Sequence, residues 1–121
     1  MGPFLLVAVG GAIGSAVRYG VWRLVGAAGW PWSTFLVNVT GGLLMGLLTG
    51  WLLARGGPEP VRLFLGVGVL GGYTTFSAYS LDMIAMVERG DWAGALAYGL
   101  ASMLVAALAL AAGLWLGRML V

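Results

Sequence analysis

The sequence predicts an all-α membrane protein of four transmembrane helices, the third broken near its middle. Three observations carry that prediction. First, 61% of the 121 residues are hydrophobic and 8% are charged, whereas about a quarter of the residues of a soluble domain are charged; the mean hydropathy is +1.01. Second, polar or turn-forming clusters at Ala27 to Trp32, Arg55 to Pro60 and Glu88 to Asp91 divide the chain into four apolar runs. Each run approaches the roughly 20 residues that a spanning helix needs. Third, the run after Pro60 gives way to Gly71-Gly72-Tyr73-Thr74-Thr75-Phe76-Ser77. Adjacent glycines lose the most backbone entropy in a helix, and threonine is β-branched and bonds its own backbone, so helix propensity drops at that point. The four runs use the whole chain, 1–121, as a single domain.

A break at that depth has a chemical consequence. Free N–H and C=O groups cannot face lipid, so an unwound turn survives only when buried in protein or lining a polar cavity, where its groups can hold an ion. The stretch from Gly66 to Ser80, which mixes glycines, hydroxyls and aromatics, is therefore read as a broken helix at an ion site.

Charge and residue types exclude several classes. The chain has no cysteine and no histidine, which removes disulfides, thiolate metal sites and the usual imidazole acid or base. No paired carboxylates or phosphate-binding loop point to an enzyme. The six arginines and four acids give a net charge of +2, too small and scattered for a nucleic-acid partner. Four spans would place Arg55, Arg62 and Arg118 on one side of the bilayer and Arg23 and Arg89 on the other, with Arg18 approaching the second side. Orientation follows the Lys/Arg excess in short loops, so this near tie predicts insertion in both orientations. Two oppositely inserted copies could then pair about an axis in the membrane plane, as a dual-topology antiparallel homodimer.

Helix 1 is expected from about Phe4 to Val25. It contains Arg18 and Arg23, with no separate cleavage site after it, and is read as retained. Gly10, Gly14 and Arg18 are four apart and share a face, where small residues allow another helix close approach. A charge at the depth of Arg18 costs about 2.5 to 3.5 kcal/mol unless it snorkels or finds partners. It either anchors the helix at the interface or lends positive potential to an aqueous mouth for an anion. Arg23 reads as an anchor beside Trp22, and Trp30 and Trp32 as headgroup-level aromatics.

Helix 2 is expected from a Ser33 cap to about Ala54. Thr34, Asn38, Gly42, Gly46 and Gly50 are each four apart, so one face begins polar and continues as bare backbone suited to packing. A carboxamide in lipid must be satisfied; Asn38 can either serve a pore as an N–H donor or bond another helix. Helix 3 starts near Val61 and is expected to break over Gly71 to Ser77. Beyond the break Phe76, Tyr79 and Met83 fall at helical spacing, with Ser77 and Ser80 beside them. Such a stripe serves a core equally well, but next to a break the positive edges of Phe76 and Tyr79 can face an anion. Asp82 would repel an anion and is read as structural or as a partner for arginine. Helix 4 is expected from Trp92 to Leu120, with Gly94, Tyr98, Ser102 and Ala106 on one stripe. Tyr98 and Ser102 either extend a polar track or bond neighbouring backbone.

Three stretches resemble the motifs of the Fluc (CrcB-like) fluoride channels. These are Gly10-Gly11-Ala12-Ile13-Gly14-Ser15-Ala16-Val17-Arg18-Tyr19, Ser33-Thr34-Phe35-Leu36-Val37-Asn38-Val39-Thr40-Gly41, and Gly68-Val69-Leu70-Gly71-Gly72-Tyr73-Thr74-Thr75-Phe76-Ser77. They occur in the family's order, one per helix, and the resemblance covers essentially the whole chain. It implies passive fluoride export across the cell (inner) membrane by a multi-pass antiparallel homodimer with two pores and a central structural sodium ion. By position, the backbone carbonyls of Gly71 and Thr74 would hold sodium. Phe76 resembles the first ring of the family's aromatic box and Asn38 its pore asparagine, with Thr75 and Ser77 beside them; Arg18 matches the motif arginine. Tyr98 and Ser102 match its hydroxyl track loosely. Tyr79 departs from the usual Phe, and its hydroxyl could donate to fluoride or narrow the path.

Two rival readings come from other classes. A small proton-coupled exporter can share four spans, but it needs an intramembrane carboxylate, for which Asp82 is the one candidate. A non-transporting assembly protein would use the glycine stripes for packing alone.

Overall fold

The computed structural model describes residues 2–27 and 29–121; Ala28, inside the expected first turn, lies outside them. The described residues are helical almost throughout: α1 (Gly2–Val25), α2 (Trp32–Arg55), α3 (Glu59–Val61), a π-helical stretch (Arg62–Leu70), α4 (Gly71–Tyr73), α5 (Ser77–Glu88) and α6 (Trp92–Met119). Four helical spans, Gly2–Val25, Trp32–Arg55, Glu59–Glu88 and Trp92–Met119, are long and apolar enough to cross a membrane. At 1.5 Å per residue even the shorter ones reach about 36 Å, against a hydrocarbon core of about 30 Å.

Bare backbone holds the spans together. A Cβ built on Gly42 would lie 2.8 Å from the Ala106 carbonyl oxygen, and one on Gly46 would lie 2.7 Å from the Leu114 nitrogen. The fit is reciprocal, because a Cβ on Gly113 or Gly117 would fall 2.9 Å from the Leu47 or Trp51 nitrogen. The glycine stripe of α2 is thus the seam against α6, where small residues let backbones touch. A second seam joins α1 to the π-helical stretch: a Cβ on Gly10 would sit 2.5 Å from the Phe64 oxygen, and one on Gly68 would sit 2.9 Å from Gly10 Cα. Large apolar residues such as Phe4, Leu24 and Leu108 point outward. In lipid that exposure carries no hydrophobic penalty.

The ends follow local chemistry, with one correction. Gly56 closes α2 in the left-handed conformation at φ 64°, its N–H bonded to the Leu52 carbonyl. Gly90 turns at φ 81°, and Asp91 Oδ1 accepts the Gly94 N–H at 2.9 Å to cap α6. Ser33 does not cap α2. The helix begins one residue earlier, at Trp32, with Pro31 in the cap position and no side-chain cap bond, since proline's preset φ starts the turn before Ser33 is reached.

The region of the expected break is also narrower than Gly71 to Ser77. Gly71–Tyr73 stays helical, the Gly71 N–H bonding back to the Gly66 and Gly68 carbonyls. Residues 74–76 alone lie outside helix. The i→i−5 bond from Gly71 to Gly66 closes a wider ring than an α-turn, and such rings concentrate at functional sites.

Candidate ion groove

Thr74 leaves the helix in an extended conformation, φ −79° and ψ 155°, and α5 resumes at Ser77. Side chains take over the hydrogen bonds lost there. The Thr75 N–H would bond the Gly71 carbonyl in a continuing α-helix; it donates to Asn38 Oδ1 instead, at 2.9 Å. Asn38 Nδ2 donates to the Thr75 carbonyl at 3.0 Å. Thr75 Oγ1 accepts the Ala78 N–H at 3.1 Å, drawing that donor away from the Thr74 carbonyl. The carbonyls of Gly71 and Thr74 are thereby released from their helical donors.

An open groove of about 760 Å³ runs beside this point, bounded by α2, α5 and α6. It brings together Asn38, Gly71, Thr74, Thr75, Phe76, Tyr79 and Ser102 from the residues singled out in the sequence, with Met45, Met83 and Met103 completing an apolar wall. Phe76 and Tyr79 meet edge to face, with ring centres 5.5 Å apart at 65°, and Phe76 is 76% exposed. Ser77 is not among the lining residues; its Oγ lies 3.3 Å from Thr75 Oγ1. Arg18 approaches from the α1 side. Its Nη1 lies 3.5 Å from the Thr74 carbonyl oxygen, and its guanidinium carbon lies 5.3 Å from the Trp22 ring centre.

Proton bookkeeping separates the polar groups. A hydroxyl has one proton to donate, whereas a carboxamide has two. Asn38 is committed to the neighbouring helix, as one of its two sequence readings required, yet only one of its N–H groups is used in that bond. Tyr79 does not offer its hydroxyl to the groove, because it donates to the Gly99 carbonyl at 2.6 Å. Tyr98 is fully buried behind the wall and donates to Asp82 Oδ2 at 3.0 Å. Asp82 therefore pairs with a tyrosine; among the described residues the one ion pair is Arg62 with Glu59, so of its two sequence readings, structural or arginine partner, the contact seen is the structural one. Ser102 is 4% exposed, and its Oγ is buried without a hydrogen-bond partner. An unpartnered buried hydroxyl is costly and needs a reason.

Sequence reasoning missed three contacts. Gly99 seats Tyr79, Thr40 Oγ1 and the Tyr73 hydroxyl lie 2.9 Å apart, and Trp30 packs edge-on against Tyr98 at 5.0 Å rather than serving only as a headgroup aromatic. Thr40 carried little signal, since residues two apart on a helix point to different faces. Gly99 carried none.

Among the described residues no three His, Cys, Asp or Glu side chains gather as metal ligands, so a cation here would depend on backbone oxygen. Backbone carbonyls are the hard ligands that hard cations take; that of Gly71 has lost its helical donor, and that of Thr74 accepts only the long contact from Arg18.

Fold and groove together define a multi-pass α-helical membrane protein whose polar groups converge on an interruption in its third span. Within that class the chain belongs to the CrcB-like family: the family described as CrcB-like protein, Camphor Resistance (CrcB), matches residues 5–114. Proteins named fluoride-specific ion channel FluC are similar over nearly the full length. The one from Caulobacter sp. (strain K31) is 52% identical, covering 98% of this chain and 96% of the relative. That from Phenylobacterium zucineum (strain HLK1) is 53% identical, covering 98% and 97%. The Rhizobium meliloti (strain 1021) protein is 50% identical and is covered end to end, as is this chain.

Proposed function

We propose that this protein is a fluoride-selective channel that exports fluoride passively from the cytoplasm, as an antiparallel homodimer in the cell (inner) membrane with two pores and a central sodium ion. One observation carries the reading: unspent donors and polarised ring edges share a single groove. The second N–H of Asn38, the partnerless Ser102 hydroxyl and the edges of Phe76 and Tyr79 line it as compact positive groups, and the bonded Thr75–Ser77 hydroxyl pair keeps one proton to give. Fluoride is small and strongly hydrated, so a pore selective for it must replace water with such donors. The names borne by the relatives support fluoride as the ion.

The groove is open on one side and Phe76 is largely exposed, which supports closure by a second copy. The near tie in arginines, with Arg55, Arg62 and Arg118 against Arg23 and Arg89, supports an oppositely inserted one. In such a pair the Gly71 and Thr74 carbonyls of both copies would supply the oxygen ligands of sodium. Arg18 adds positive charge on the α1 side of the interruption. Direction follows from the membrane: hydrogen fluoride enters neutral, ionises in the less acidic cytosol, and the negative-inside potential drives the anion outward. Tyr98 acts through packing and Asp82, with Ser102 the groove-facing member of the α6 stripe.

Ion efflux from liposomes containing the purified protein, followed with fluoride and chloride electrodes under a potassium-ionophore clamp, tests this function. Fast fluoride release without chloride release is expected. Folded, inserted protein that releases neither ion would overturn the reading.

A further inference from the structure

Tyr79 is tied to α6 at a single residue. Its hydroxyl donates to the Gly99 carbonyl at 2.6 Å, a short bond for two neutral groups, and Gly99 is buried. The same glycine is crowded from the α5 side: a Cβ there would lie 2.6 Å from Met83 Sδ and 3.5 Å from the Tyr79 hydroxyl. Tyr79 and Met83 are one helical turn apart, so two consecutive groove-lining side chains of α5 rest on one bare position of α6. The Tyr79 ring is further held between Phe76 and Tyr98, each 5.5 Å away between ring centres.

We propose that Gly99 is a positioning residue for the groove: its carbonyl and its missing side chain together seat the Tyr79 ring, whose hydroxyl is a tether to α6 and not an ion ligand. The inference rests on the fluoride-channel reading. An anion can accept a hydrogen bond from Tyr79 only by taking the one phenolic proton, which would leave the Gly99 oxygen without it. What the tether leaves facing the groove is the ring itself, whose positive edge is set by its orientation. The hydroxyl thus acts on the ion path through the angle of the ring.

A tether and a ligand predict different kinetics. Fluoride efflux under voltage clamp, measured against internal fluoride concentration, separates the maximal rate from the half-saturating concentration. Removing a ligand raises the half-saturating concentration, whereas loosening a seat lowers the maximal rate. Tyr79→Phe is expected to lower the maximal rate by about threefold or more while the half-saturating concentration stays within about twofold. Because the flexible end of Met83 can swing away from a single methyl, the second variant is Gly99→Val, whose branched side chain crowds both Met83 and Tyr79. It should give the same signature. The double variant should lose no more than the worse single one, since both changes break one contact.

Thermal unfolding of the detergent-solubilised protein provides a readout independent of transport. Tyr79→Phe is expected to lower the unfolding temperature, and to lower it less when Gly99→Val is already present. A tenfold or greater rise in half-saturating fluoride for Tyr79→Phe would overturn the proposal, as would losses that multiply in the double variant. If Gly99→Val does not fold, the kinetic split in Tyr79→Phe decides alone. A wild-type protein without fluoride efflux would sink the channel reading, and the unfolding measurements would still decide whether the tether exists.

Discussion

Asn38 grips both sides of the Thr75 backbone, accepting its N–H at Oδ1 (2.9 Å) and donating from Nδ2 to its carbonyl (3.0 Å). One carboxamide on α2 thus replaces the two helical hydrogen bonds that the Thr75 backbone does not make, while the Thr74 N–H still bonds the Leu70 carbonyl and the Phe76 carbonyl still accepts the Ser80 N–H. The two contacts also fix which end of the amide is oxygen, because the backbone offers one donor and one acceptor. The orientation that holds Thr75 leaves one N–H of Asn38 uncommitted at the groove.

Asn38→Asp keeps the size and the acceptor for the Thr75 N–H but sets a carboxylate oxygen against the Thr75 carbonyl. The buried acceptor left without its donor costs about 1 to 3 kcal/mol. That cost lowers the unfolding temperature, while the new negative charge at the groove repels an anion, so fluoride efflux should fall by about tenfold or more. Unchanged efflux would remove Asn38 from the ion path.

Phe76→Ile separates the ion path from stability. Phe76 is 76% exposed, so its ring adds little burial within one copy, and its edge-to-face pair with Tyr79 contributes only about 0.5 to 1.5 kcal/mol. Efflux is expected to drop by about tenfold, the equivalent of one lost ring edge. Size-exclusion chromatography should show assembly unaltered.

Ser102→Ala removes a hydroxyl that bonds to nothing in the protein. Deleting an unpaired buried polar group releases its desolvation cost, so the unfolding temperature should hold or rise. If the hydroxyl serves fluoride, efflux should fall in the same variant. Opposite signs for stability and flux are the signature to look for, and a parallel decline would make Ser102 structural.

Asp82→Asn distinguishes a channel from a proton-coupled exporter. The asparagine oxygen can still accept from the Tyr98 hydroxyl, now 3.0 Å from Asp82 Oδ2, so the helix pair should survive. An exporter needs the titrating carboxylate and would stop. Fluoride efflux through the variant is expected to persist.

Sodium should stabilise the protein if the Gly71 and Thr74 carbonyls bind it. A ligand that binds the folded form alone adds about 2.7 kcal/mol at one hundred times its dissociation constant. Unfolding temperatures in sodium, compared with N-methylglucamine at equal ionic strength, should therefore be higher. Equal values would argue against a cation at these carbonyls.

Much of the architecture was legible because lipid simplifies the physics. With no water to satisfy backbone groups, long apolar runs must be helical, and the clusters at 27–32, 55–60 and 88–91 marked where they stop. The stripe Gly42, Gly46 and Gly50 was readable as a seam because small residues have few other uses at that spacing. The Ser33 cap was misread since propensity ranks serine highly there, while Pro31 had already begun the turn. Asp82 reads from the sequence as structural or as a partner for arginine, and only the packing of the last two helices brings the Tyr98 hydroxyl to it.

The amino-acid sequence was sufficient for the number of spans, the glycine seams and the neighbourhood where helix gives way, because these depend on composition and period along one segment. How each polar group spends its protons depended on the packed helices. Asn38 and Thr75, Tyr79 and Gly99, and Tyr98 and Asp82 are paired across different helices, and a hydrogen bond requires a donor and an acceptor within about 3 Å, a distance that no spacing along one helix specifies.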